Sequence, residues 1–104
     1  MKTKTQIEID FAQAKAMAAQ LDEIAGNIGK LSTNEFEACI DNTRRHWTGE
    51  NATNYVAKCE LLQNQLDTTK GAISRAAETV RKIAQQLYDA EMQALAIAQA
   101  RSYT

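Results

Sequence analysis

No proline interrupts the 104-residue sequence, and glycine occurs only four times. Long helices therefore meet few intrinsic breakers. Aromatic residues make up 6% of the chain, too few for a β-sandwich built from aromatic and β-branched runs. No uncharged apolar run approaches the ~18 residues that a membrane-spanning helix needs. The basic opening Met1-Lys2-Thr3-Lys4-Thr5-Gln6 lacks the apolar stretch of a secretory signal peptide. Neither sign of charge dominates: 12 basic residues face 13 acidic ones, spread along the chain. That balance gives no footprint for nucleic acid or an anionic membrane. Arg44-Arg45-His46 is too short a cluster to change this.

Catalytic chemistry is equally scarce. The single histidine, His46, has no cysteine or carboxylate at ligand spacing, so a capping or surface role is expected. The two cysteines lack a Cys-x-x-Cys spacing, which argues against a metal site. No glycine-rich phosphate loop, nucleophile elbow or zinc-helix motif occurs. The expectation is a protein that is not an enzyme, with no cofactor and no small-molecule substrate.

What the chain does have is helical periodicity. Thr5-x-x-Glu8 reads as a capping box opening a first helix over about residues 6–46. Ile7, Phe11, Ala14, Met17, Leu21, Ile24, Ile28 and Leu31 follow, with alternating steps of three and four from Ala14 onward. The rhythm slips at Ser32-Thr33-Asn34-Glu35 and resumes at Phe36, Ile40, Thr43 and Trp47. One long helix with a stutter is the simplest expectation, a break or kink the alternative. Trp47-Thr48-Gly49-Glu50 is the clearest punctuation, with Gly49 suited to a turn. A second helix is expected over about residues 51–98. Its stripe is Cys59, Leu62, Leu66, Thr69, Ile73, Ala76, Val80, Ile83, Leu87, Ala90, Ala94 and Ile97. The tail beyond it is expected to fray.

Folding at Gly49 brings level those residues whose numbers add to about 98. Phe36 then faces Leu62, Ile24 faces Ile73 and Phe11 faces Leu87. The fold expected is all-α: one antiparallel two-helix hairpin, completed as a four-helix bundle on dimerisation, because two helices of this size have a thin core alone. Its core and dimer seam would comprise Leu21, Ile24, Ile28, Leu31, Phe36, Ile40, Leu62, Leu66, Ile73, Val80, Ile83 and Leu87. Cys39 and Cys59 fall level. Two small buried hydrophobes are the simpler reading and a disulfide the alternative. Gly26, Gly29 and Gly71 also fall level, marking either a waist crossed by a second hairpin or a tolerated kink.

A chain of about 100 residues with Trp47-x-Gly49 between two heptad helices, followed by Ala52 and Tyr55, resembles the WXG (Trp-Xaa-Gly) family. These are the ESAT-like substrates of bacterial type VII (Esx) secretion. The resemblance covers essentially the whole chain. It implies an antiparallel dimer, with itself or with a related WXG protein. It also implies export by a membrane ATPase without a cleaved signal, and in some cases escort of a larger toxin. The alternatives are a non-secreted or co-secreted helical adaptor for a larger toxin, or a structural coiled-coil subunit, and a cytoplasmic location. The family's tail signal, Tyr-x-x-x-(Asp/Glu), has only a degenerate counterpart here in Tyr88, Asp89 and Glu91, since Met92 occupies the fourth position after Tyr88. In an antiparallel dimer the turn of one chain would lie beside the open end of the other, so Trp47 is expected to approach the partner's tail region in a shared docking surface, with a cap over the bundle end as its alternative role.

Overall fold

Two helical arms joined at residues 47–49 make up the structure, a computed structural model that describes residues 2–102. The first arm runs through α1 (Lys4–Lys30), a π-helical stretch (Leu31–Phe36) and α2 (Glu37–His46); the second is α3 (Glu50–Ser102). Among the described residues 95% are helical and none is in a strand, so the fold is an all-α helical hairpin. No helix of the described residues is long and apolar enough to cross a membrane. The expectation of a frayed tail falls partly on residues 103–104, outside those described; α3 itself continues to Ser102.

The first helix begins two residues earlier than its apparent capping box. Thr3, not Thr5, supplies the cap: its Oγ1 accepts the Gln6 N–H at 3.2 Å, and its carbonyl accepts the Ile7 N–H at 3.0 Å. Thr3-x-x-Gln6 fits the capping position as well as Thr5-x-x-Glu8 does. Gln6 turns its side chain forward to Asp10 (2.8 Å) instead of back to the cap.

The slip at Ser32 is absorbed without a break. Lys30 and Phe36, at the edges of the π-helical stretch, both keep right-handed helical backbone angles. A π turn holds one residue more than an α turn, which is what the spacing of buried positions requires. Ala18, Ala25 and Ser32 are buried at intervals of seven, and Ile40 follows at eight. Deleting Asn34, an exposed residue of that stretch, is therefore expected to convert it to regular α-helix. The folded state should be kept, with stability within about 1 kcal/mol of the parent, consistent with removing an exposed helical residue. Deleting both Thr33 and Asn34 should rotate α2 away from α3 and destabilise the turn end by several times more. Urea melts of the two deletions, with amide exchange at Ser32–Phe36, make the comparison.

The chain divides into two compact units, residues 1–21 with 75–104 and residues 22–74. In the first, the open-end unit, Ile7 is almost fully buried and Phe11 stacks on Tyr88, ring centroids 4.6 Å apart. In the second, the turn unit, Ile40, Val56 and Cys59 form a buried apolar cluster. Ser32 is buried within the π-helical stretch and fully satisfied. Its hydroxyl donates to Asp67 (2.8 Å), and its carbonyl accepts from the Gln63 side chain (2.9 Å). That bond supplies a partner to a carbonyl in a stretch where the regular α ladder is interrupted. Phe11 with Tyr88, and Ser32 with Asp67, each add to 99, within one of the expected register.

Each arm carries three apolar rows at heptad spacing, not two. The row Ala18, Ala25, Ser32 in the first arm and Val56, Ala77, Ala84 in the second is buried within its own unit; Ala18 and Ala77 are 0% exposed. The middle row, which includes Leu21, Ile28, Leu66, Ile73 and Val80, is half-buried. The outer row of large residues, Met17, Ile24 and Leu31 with Tyr55, Leu62, Ile83 and Ile97, is exposed. Of the expected core and dimer seam, Ile40 is buried in the single chain, Leu21, Ile28, Phe36, Leu66, Ile73 and Val80 are half-buried, and Ile24, Leu31, Leu62, Ile83 and Leu87 are exposed. Small side chains let two helices approach closely, so the alanine row forms the intrachain contact. The large residues one position earlier are turned aside.

Candidate interaction face and turn

The turn is built from sequence-local constraints. α2 ends at His46 and Trp47 takes an extended conformation (φ −137°, ψ 126°), its N–H still bonded to the Thr43 carbonyl at 2.9 Å. Gly49 has φ +109°, a region that L side chains rarely adopt, and this reverses the chain into α3. Its carbonyl accepts both the N–H and the hydroxyl of Thr53 (3.0 and 3.1 Å), which starts the new helix. His46 Nδ1 donates to the Asn42 carbonyl at 2.9 Å, the capping role its position suggests. Trp47 remains 46% exposed, with its ring tilted against Tyr55 at 5.8 Å. A cleft of about 430 Å³ beside it is lined by Arg44, Gly49, Val56 and Glu60, with Arg44 and Glu60 ion-paired across the arms.

The outer rows of the two arms meet on one face of the turn unit. Leu31, Phe36, Cys39, Tyr55, Cys59 and Leu62 line a largely apolar cleft of about 470 Å³, with Glu35 and Lys58 also in its lining. Of the two cysteines, Cys59 is buried as expected and Cys39 is exposed; both are free thiols. The level glycines do not act alike. A Cβ on Gly26 would meet nothing within 4 Å, whereas one on Gly29 would lie 2.9 Å from the Lys70 amine. Gly29 thus makes room for a lysine side chain laid across the arms.

In the open-end unit the degenerate tail signal is engaged within the hairpin. Tyr88 is stacked on Phe11, Glu91 accepts from Lys2 (3.2 Å), and Asp89 accepts from Gln85 (2.9 Å). Lys2 also pairs with Asp10 at 2.8 Å. Its pKa is raised by hydrogen bonding to Asp10 and then Glu91, while Asp10 is lowered by Lys2 and then Gln6. The Asp10 contribution is therefore present above its unfolded pKa and lost as pH falls through the lowered value. The Lys2 contribution is present below its unfolded pKa and lost as pH rises through the raised one. Both groups are fully solvated, so this clamp orders the chain start more than it stabilises the fold.

These features define an all-α helical hairpin with an exposed apolar row and a half-exposed tryptophan at its turn. Among the described residues, no group of three histidine, cysteine or acidic side chains is placed to hold a metal ion. No family model, curated protein or solved structure matches the chain.

Proposed function

We propose that the chain acts by protein–protein contact, as a small secreted helical hairpin of a bacterial type VII system that pairs antiparallel with a second copy of itself. The observation that carries the pairing is the exposed outer row. Met17, Ile24, Leu31, Tyr55, Leu62, Ile83 and Ile97 are 37–60% exposed. Large apolar residues left open in a row at heptad spacing mark a surface for a partner. Charge favours the antiparallel arrangement. The turn unit holds eight acidic and five basic residues, the open-end unit five acidic and seven basic. Laying the turn unit of one copy against the open end of the other sets net −3 beside net +2, differences taken from those counts.

The secretion half of the proposal is supported by the Trp47-Thr48-Gly49 turn and its resemblance to the WXG family. No catalytic step or cofactor is part of it. Trp47, half-exposed and resting on Tyr55, is available for recognition by the export machinery. Trp47→Ala is expected to leave helicity and mass unchanged while cutting export at least tenfold, the scale of losing an aromatic anchor. The test compares tagged protein in cells and medium, with and without the secretion ATPase. Unchanged release of the variant, or ATPase-independent release of the parent, would remove the secretion reading.

One observation favours a second reading, an adaptor that escorts a larger toxin. Tyr88 and Glu91 are committed to Phe11 and Lys2 within the hairpin, so a partner carrying its own tail signal would supply what this chain lacks. Export that requires a co-expressed neighbour distinguishes the adaptor from the self-sufficient substrate.

A further inference from the structure

Two thiols share the apolar cleft of the turn unit. Cys39, exposed, comes from α2, and Cys59, 8% exposed, comes from α3. Their positions add to 98, one short of the register at which Ser32 meets Asp67, so they lie level across the arms. Tyr55, one turn before Cys59, interacts with both. Its phenol is held above the ordinary range first by hydrogen bonding to Cys59 and by that thiol's charge, then by Cys39. Cys39, Tyr55 and Cys59 all line this one cleft, so both thiols open onto the same side of the turn unit.

We propose that Cys39 and Cys59 are a dithiol–disulfide couple, reduced where glutathione is reduced and closed by a low-molecular-weight disulfide such as oxidised glutathione. The exposed Cys39 thiolate attacks one sulfur of the oxidant. A mixed disulfide forms, and the first glutathione leaves as a thiolate. The Cys59 thiolate then attacks the Cys39 sulfur, and the second glutathione leaves. The two glutathione thiols formed carry the two protons and two electrons that the protein gives up. The new bond closes a loop around Trp47-Thr48-Gly49 and ties the two walls of the cleft together, which restricts the unfolded chain. The inference does not depend on export, although an exported chain would pass from the reduced to the oxidised condition.

The experiment incubates the purified full-length reduced chain with oxidised glutathione, after its helicity has been verified by circular dichroism. Free thiols are counted by maleimide labelling, and intact mass is read without reductant. Both thiols should disappear together, with a mass loss of two hydrogens and a recovered Cys39–Cys59 linked peptide. The thermal midpoint should rise by roughly 10 °C, and dithiothreitol should reverse every change. Cys59→Ser should stop at a single glutathione adduct on Cys39. Persistent free thiols, a stable glutathione adduct on the parent chain, a disulfide between chains, or a bond that forms only in denaturant would each overturn the proposal.

Discussion

Replacing Leu62 and Ile83 together by aspartate is expected to leave the hairpin helical and to weaken its self-association by roughly 100-fold or more. The two residues occupy the same heptad row of α3, three heptads apart, and are 50% and 49% exposed in the single chain. A carboxylate at either position remains hydrated in the monomer and costs little there. Buried against a second copy, the same carboxylate would lose its water without gaining a partner, a cost of several kcal/mol. The effect thus falls on the association constant and spares the fold. Sedimentation of the double variant, paired with its circular dichroism spectrum, reads both quantities. Loss of helicity in proportion to loss of mass would mean that the outer row belongs to the hairpin's own core.

Ala77→Leu should have the opposite signature. Ala77 is 0% exposed in the row through which α3 faces the first arm, and three added carbons have no free volume to occupy. Overpacking of this kind costs about 1–3 kcal/mol. In a domain of this size that corresponds to a fall in the thermal midpoint of roughly 5–20 °C. Ala72→Leu, on a row of the same helix that is exposed throughout, is the matched control and should be close to neutral. Equal melting of the two variants would contradict the assignment of the alanine row to the intrachain contact.

These two predictions also show where the sequence was legible and where it was not. Helical period, the reversal at Gly49 and the slip at Ser32 could all be read directly, because each depends on local chemistry: spacing, a positive φ, one surplus residue. The register was legible too, since Ser32 with Asp67 lies within one residue of the expected level. The choice of face was not. Periodicity read through Met17, Ile24, Leu62 and Ile83 follows the bulkiest side chains, and Ala18, Ala25, Ala77 and Ala84 contribute little to it. Yet close helix contact selects for small residues, so the less conspicuous row is the one buried within the chain. The shared middle row, with Leu66, Ile73 and Val80, made either seam fit the heptad equally well.

The polar contacts were the least visible. Ser32, Gln63 and Asp67 read as ordinary surface residues of a stutter and a polar face, and only the π-helical geometry explains why a buried serine needs both of the others. Tyr88 and Glu91 were conspicuous as a possible tail signal. Their partners Phe11 and Lys2 lie far away in sequence, so their engagement within the hairpin emerges only once the arms are paired.

The central claim is that the hairpin spends its alanine row on itself and its large-residue row on a second copy. Sedimentation equilibrium of the reduced wild-type chain tests it most directly. The account predicts a species of twice the 11.5 kDa chain mass, fully helical and dissociated by the Leu62→Asp, Ile83→Asp pair. A helical monomer of 11.5 kDa at the highest attainable concentration would contradict it.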